Sequence, residues 1–354
     1  MSTADSVLKL VRPDILALTA YSSARKEAKG GRVWLDANEN PETPSVRRPL
    51  LNRYPEPQPV DLVARLAALY GVTSAQVLVT RGSDEGIDLL QRTFCRAGQD
   101  AILITPPTYG MYVVAAGIQG ARTVTVPLVR ERNFALDADA VLRAATSEVK
   151  LVFLCSPNNP TGGLLDRAAV LALVRALATR SVVAVDEAYV DFSGQPSLAA
   201  EVTSNPNLIV LRTLSKVHGL AGARVGTTIA DPAVIAVLQK VIAPYPVPTP
   251  VLQAALAALT PTGLAAARDS AATLVAARSR LAAALAKLPA VKRVWPSDAN
   301  YLLVEVADSA GAMAAGRAAG VVWRDRSKDV PHSIRITVGT AEENNATLEV
   351  LSRV

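Results

Sequence analysis

"VKLVFLCSPNNPTGGLLDRAAVLALVRALATRSVVAVDEAY" (Val149–Tyr189) carries the pattern that decides the fold. Two apolar runs, VKLVFLC (149–155) and SVVAVD (181–186), flank an Ala/Leu-rich stretch, RAAVLALVRALAT (167–179). Neither run alternates apolar with polar residues. Continuous apolar strands suit a mainly parallel sheet whose two faces are both covered by helices. The pattern extends outward in both directions. QVLVT (76–80), AILIT (101–105) and TVTVP (123–127) come before it, while NLIVLRT (207–213) and ARVGTTIA (223–230) come after. DEGIDLLQRTFC (84–95) reads as another of the intervening helices. This order predicts an α/β fold whose large domain holds a mainly parallel seven-stranded sheet.

The pattern stops at IAPYPVPTP (242–250), where four of nine residues are proline. Proline removes a backbone donor and restricts the residue before it, so a boundary belongs there. Beyond it, 251–289 reads as helix punctuated by TPTG, followed by strands YLLVEV (301–306) and SIRITVG (333–339). The expected division is an N-terminal arm (1–29) associated with the small domain, a large domain (30–246) and a smaller α+β domain (247–354).

Composition narrows the function. The 354 residues include two histidines, His218 and His332, so a histidine-rich metal site is not expected. Cys95 and Cys155 both fall in apolar segments and read as buried free thiols. The net charge of +6 is scattered, and aromatics make up 4% of the chain, which argues against nucleic-acid binding. No uninterrupted apolar run is long enough to span a bilayer, and the N-terminus lacks the basic start and apolar block of a signal peptide. The expectation is a cytoplasmic protein with no membrane partner.

Ligands of open α/β sheets gather beyond the carboxyl ends of the strands. After 76–80 comes RGSDEG, where a glycine turn and the first amides of a helix make an anion site. Asp84 and Glu85 would repel an anion there, so cations must come from elsewhere; taken alone, the stretch reads as a helix cap by Ser83 or Asp84. After 149–155 comes SPNNPTGG, after 181–186 DEAY, and after 207–213 TLSK. Lys216 is one of only nine lysines and stands among Ser, Thr, Gly and Ala, without the charged company of a surface lysine. Each motif alone reads as a turn or a cap. Together they supply an amine, an acid, a phenol, an amide, hydroxyls, an arginine and a helix end, an inventory that fits a phosphorylated aldehyde cofactor with a basic ring nitrogen.

YSSAR, LDANENP, LNRYPEPQP, TRGSDEGID, PPTYGMY, SPNNPTG, DEAY, TLSK, GARVG, VIAPYPVPTP and RITVGT run from about residue 21 to residue 340. On these motifs the chain resembles the fold-type I pyridoxal-phosphate aminotransferases and, within them, is similar to the histidinol-phosphate aminotransferases. The resemblance implies pyridoxal 5'-phosphate as cofactor and Lys216 as its Schiff-base lysine. It implies Asp186 on the ring nitrogen, Asn159 and Tyr189 on the ring's 3′-oxygen, and Tyr109 on the ring face. For the cofactor phosphate it implies the amides of Ser83 and Asp84, the hydroxyls of Thr213 and Ser215, and Arg224. Tyr54 is implied to reach the neighbouring subunit's cofactor, which makes the expected unit a homodimer. Arg324 and Arg335 resemble the pair that binds substrate anions, and Tyr21, Asn38, Tyr54 and Asn159 are expected beside them. The implied reaction converts histidinol phosphate and 2-oxoglutarate into imidazole-acetol phosphate and glutamate, running toward histidinol phosphate in histidine biosynthesis. An aromatic amino-acid aminotransferase, a decarboxylase of amino-acid phosphates and a non-catalytic binding protein of the same fold are the alternatives. His218, two residues past the lysine, departs from the family pattern and reads as a packed or capping residue.

Overall fold

The computed structural model describes residues 3–20, 37–42 and 51–354. All seven runs ahead of the proline-rich stretch are strands of one sheet. They are β1 (Val77–Thr80), β2 (Ala101–Ile104), β3 (Arg122–Thr125), β4 (Val149–Cys155), β5 (Val182–Asp186), β6 (Leu208–Thr213) and β7 (Gly226–Ile229). The order across the sheet is β1-β7-β6-β5-β4-β2-β3. β2 to β6 pair in parallel, and β7 runs antiparallel to both of its neighbours.

Strand residues alternate between two cores, one on each face. Leu151, Phe153 and Cys155 enter one with Ile102, Ile104 and Ala184; Val152, Leu154, Val183 and Val185 enter the other. Both faces are apolar because both are covered, so the period-two signature is absent from the sequence. Each large side chain fully withdrawn from water contributes roughly 1.5–3 kcal/mol.

Register brings the ligand-binding strand ends together. Thr80 lies opposite Gly226, Gly226 opposite Thr213, and Asp186 opposite Cys155. The ends of β1, β4, β5 and β6 and the start of β7 therefore share one edge. The last strand begins later than ARVGTTIA suggests. Ala221–Ala223 form a 3-10 turn, Arg224 is left-handed at φ 56°, and pairing starts at Gly226. Arg224 is thus a loop residue ahead of the strand.

A second sheet holds β8 (Val291–Val294), β9 (Tyr301–Val306), β10 (Arg324–Asp325) and β11 (Ser333–Thr337), antiparallel throughout in the order β10-β11-β9-β8. The sequence signals β9 and β11 only, because β8 and β10 are short, polar and largely exposed. Leu302, Val304, Ile334 and Ile336 pack beneath helices with Leu281, Leu285 and Leu351, while Leu303 on the other face joins the core of the large sheet. At TPTG the helix breaks, and segments Thr249–Ala258 and Pro261–Leu285 meet at 71°. Among the described residues no single helix is long and apolar enough to cross a membrane.

Near the N-terminus, part of residues 3–20 packs on the helices that cover the large sheet. Val7, Leu10 and Val11 are buried with Leu90, Phe94, Val234 and Leu238. The remainder of the expected arm, residues 21–29, lies outside the described residues.

Candidate active site

The shared edge opens into a cavity of about 200 Å³. Ser83, Asp84, Tyr109, Asn159, Asp186, Tyr189, Thr213, Ser215, Lys216, Arg224 and Arg335 all line it, together with Cys155 and Ala188. Eleven residues singled out from sequence thus meet in one place.

The helix at RGSDEG begins at Gly82, directly after β1. Its flanking residue Arg81 makes no side-chain cap, so the cap expected of Ser83 or Asp84 is not formed. The first amides of the helix are left without helical acceptors and face the cavity edge. Two glycines permit this. Gly82 is left-handed at φ +76°, and a Cβ on Gly226 would lie 2.2 Å from the Gly82 carbonyl carbon and 2.4 Å from the Ser83 nitrogen. Around this helix end, the Thr213 hydroxyl donates to Ser215 Oγ at 2.9 Å. Arg224 lies 3.4 Å from Ser215 Oγ through Nη1 and 3.2 Å from Asp84 Oδ2 through Nη2. The arginine that the two acids require is present, and it currently pairs with one of them. The donor set, two amides, two hydroxyls and a guanidinium fork, suits a phosphate.

At the other end of the cavity lies Asp186, 3% exposed. Burial pushes its carboxyl up to about 6, against the opposing pull of the Tyr112 hydroxyl and the Ala188 amide. Strand alternation separates it from the next acid. Asp186 faces the cavity, and Glu187 turns away to Arg212, 3.4 Å distant, and to the Leu198 amide. A buried carboxylate with one side open to a polar cavity can hold a cationic N–H.

Lys216 stands between these two ends, with Nζ 5.4 Å from the Tyr189 ring centre. Burial first, and then the charge of Arg335, lower its pKa. A less protonated amine is a better nucleophile and base. Arg335 reaches in from β11 and donates to Asn159 Oδ1 at 2.6 Å. That leaves the amide nitrogen of Asn159 as a donor. Arg335 Nε is buried without a partner. Tyr109 donates to Asp84 Oδ1 at 2.9 Å, and Tyr189 packs edge-on against Tyr301, 5.1 Å between centres.

The remaining expected residues lie elsewhere. Arg324 is exposed on β10, directly opposite Arg335 across the strand pair, and does not line the cavity. Asn38 and Tyr54 line a separate hollow of about 360 Å³, where Tyr54 stacks on Tyr245 at 4.6 Å. Tyr21 falls outside the described residues. His218 has a buried, unpartnered Nδ1, and burial lowers its pKa, as for a packed neutral imidazole. Sequence reasoning missed Tyr112, Cys155, Ala188 and Tyr301. Tyr112 lies one helical turn past Tyr109 in the same motif, and Cys155 ends its strand opposite Asp186, so both had a local signal. Tyr301, which arrives from the second sheet, had none.

The family model for aminotransferase class I and II matches residues 29–351. A histidinol-phosphate aminotransferase of Stenotrophomonas maltophilia is 50% identical over 353 residues, covering 98% of this chain and 97% of its own. Among solved structures, a histidinol-phosphate aminotransferase from Clostridium acetobutylicum superposes with a TM-score of 0.78 at 21% identity, covering 86% of this chain and 90% of its own. One from Sinorhizobium meliloti, in complex with pyridoxal-5'-phosphate, does so at 0.76 and 24%, covering 85% of this chain and 82% of its own. These two likenesses establish the fold. With a family model spanning nearly all of its length and a relative half identical along it, this chain belongs to the class I and II aminotransferases and, within them, to the histidinol-phosphate aminotransferase family.

Proposed function

We propose that the protein is a pyridoxal-phosphate-dependent transaminase that passes the amino group between histidinol phosphate and 2-oxoglutarate in a ping-pong cycle, working toward histidinol phosphate. The observation that carries this reading is the meeting, in one cavity, of a partly buried amine, a buried carboxylate and an uncapped helix end. The residues fit the cofactor. Ser83, Asp84, Thr213, Ser215 and Arg224 would hold its phosphate, with Arg224 released from the Asp84 carboxylate to do so. Asn159 and Tyr189 would hold the ring's 3′-oxygen, and Tyr109 would cover a ring face. When bound, the cofactor supplies an aldehyde carbon for amine exchange and a ring that accepts electrons.

The protein's own work is proton handling and anion binding. Asp186 keeps the proton on the ring nitrogen, because a buried carboxylate gains most from a facing cation. Lys216 Nζ, its pKa lowered, takes and returns the proton at the substrate Cα. Arg335 serves the glutamate carboxylate, and with Arg324 it serves the phosphate of the other substrate. Two planar forks suit a dianion. Tyr21 and Asn38 complete this end, and Tyr54 reaches the cofactor of a second copy in a homodimer. This reading includes the division into an arm, a large domain to 246 and a small domain, and a place in the cytoplasm.

The test is turnover by purified protein with 2-oxoglutarate as acceptor. Histidinol phosphate yields glutamate at a far higher kcat/KM than phenylalanine does. The reverse preference would move the protein to aromatic amino acids, and release of carbon dioxide from an amino-acid phosphate would make it a decarboxylase.

A further inference from the structure

Asp186 does not hold its own position. Its two oxygens are engaged separately, Oδ1 by the Ala188 N–H at 3.1 Å and Oδ2 by the Tyr112 hydroxyl at 2.9 Å. The Ala188 contact is local, two residues along the chain. The Tyr112 contact spans 74 residues and comes from the helix Met111–Gln119. Tyr112 is completely buried. Its ring is stacked on Phe153 of β4 at 4.8 Å and 9°, and it meets Tyr109 edge-on at 5.6 Å. Gln91 fixes the backbone by donating to the Tyr112 carbonyl at 3.0 Å. The phenol is therefore aimed by packing that a phenylalanine would keep, and its hydroxyl donates to the acid while lying beside the Cys155 thiol at the end of β4.

A buried carboxylate keeps its charge only while donors stand in for water. The Tyr112 hydroxyl supplies one of two and fixes the plane of the carboxylate, leaving its free side toward the cavity. We propose that Tyr112 is a positioning residue: it orients Asp186 and keeps it ionised for the ring nitrogen of the cofactor. The inference rests on the pyridoxal-phosphate reading above. It adds to that reading a residue whose effect on the cofactor is transmitted through Asp186.

A double-mutant cycle on cofactor affinity tests this. Dissociation constants for pyridoxal phosphate are measured by equilibrium dialysis for the wild type, Tyr112→Phe, Asp186→Asn and the double variant, beside the melting temperature of each cofactor-free protein. Tyr112→Phe weakens binding by roughly tenfold, the size of one hydrogen bond to a charged group. In the Asp186→Asn background the same change has less than about a twofold effect, because the amide can still accept the hydroxyl but the charge it orients toward the ring nitrogen is gone. An unchanged constant for Tyr112→Phe overturns the proposal. So does a tenfold loss that persists without Asp186, which would mark Tyr112 as a packing residue acting by another route. Failure of the wild-type protein to bind pyridoxal phosphate is a different result and overturns the functional reading itself.

Discussion

The two ends of the proposed catalytic centre are built differently. At the cofactor end, Ser83, Asp84, Asn159, Asp186, Thr213, Ser215 and Lys216 all end or follow strands of one sheet, whose register brings them to a single cavity. At the substrate end, Arg335 alone of the expected anion binders lines that cavity. Arg324 is exposed, and Asn38 and Tyr54 line a hollow of their own. One sheet fixes neighbouring strand ends through a continuous ladder of hydrogen bonds. Residues from a second sheet, an arm and a proposed second copy share no such ladder, so their meeting depends on how those parts close on one another.

The sharpest way to break this contrast is at its centre. Lys216→Ala should lower turnover by roughly 10⁴-fold while leaving the melting temperature of the protein close to wild type. Full turnover would remove the basis for both ends. Asp186→Asn should cost on the order of 10²-fold, since it removes the fixed charge facing the ring.

The same substitution should have the opposite effect on stability when no cofactor is bound. The Asp186 carboxyl stands at about 6 in the folded chain against an ordinary 3.8. The fold therefore bears no cost for this group below about pH 4. The cost grows as the pH rises from about 4, where the carboxyl of the unfolded chain ionises, and levels off at about 3 kcal/mol above pH 6. Cofactor-free Asp186→Asn should melt above wild type at pH 7.5, and the gap should close toward pH 4. A gap that does not change with pH would mean that burial is not what raises this group.

The substrate end gives smaller effects that sharpen the comparison. Arg335→Gln should raise KM for glutamate and histidinol phosphate alike by roughly 10- to 100-fold, the cost of losing a charged hydrogen bond. Arg324→Ala should raise KM for the phosphorylated substrate alone, and by only a few-fold, because an exposed guanidinium stays screened by water. Equal effects of the two changes on both substrates would show that Arg324 reaches the cavity as fully as Arg335, and the contrast between the ends would fall.

β1, β2, β4, β5 and most of β6 could be read directly, because strands covered on both faces need uninterrupted hydrophobic residues, whereas β3, an edge strand reading RTVT, alternates and is partly exposed. β8 and β10 could not, because four residues of VKRV and two of RD carry no pattern that a loop would not. Lys216 and Asp186 were visible as polar residues closing apolar runs. The Ser83–Asp84 stretch was misleading in isolation. It reads as a helix cap, and only the structure shows that Arg81 takes the flanking position without a side-chain cap and that Gly226 lets the last strand approach the Gly82–Ser83 peptide. Tyr112 was within view in TYGMY, but nothing in its spacing says that its hydroxyl finds an acid 74 residues away.

The sequence by itself determined the sheet, the residues at its carboxyl edge and the family, because all three reside in local runs and short motifs. Tertiary structure alone decided that Glu187 faces Arg212 while Asp186 faces the cavity, that Arg335 enters the site while Arg324 stays outside, and that Tyr112 supports the acid. Those outcomes depend on strand pairing and packing between segments far apart in the chain, and distance along the chain does not record which side chains are brought face to face.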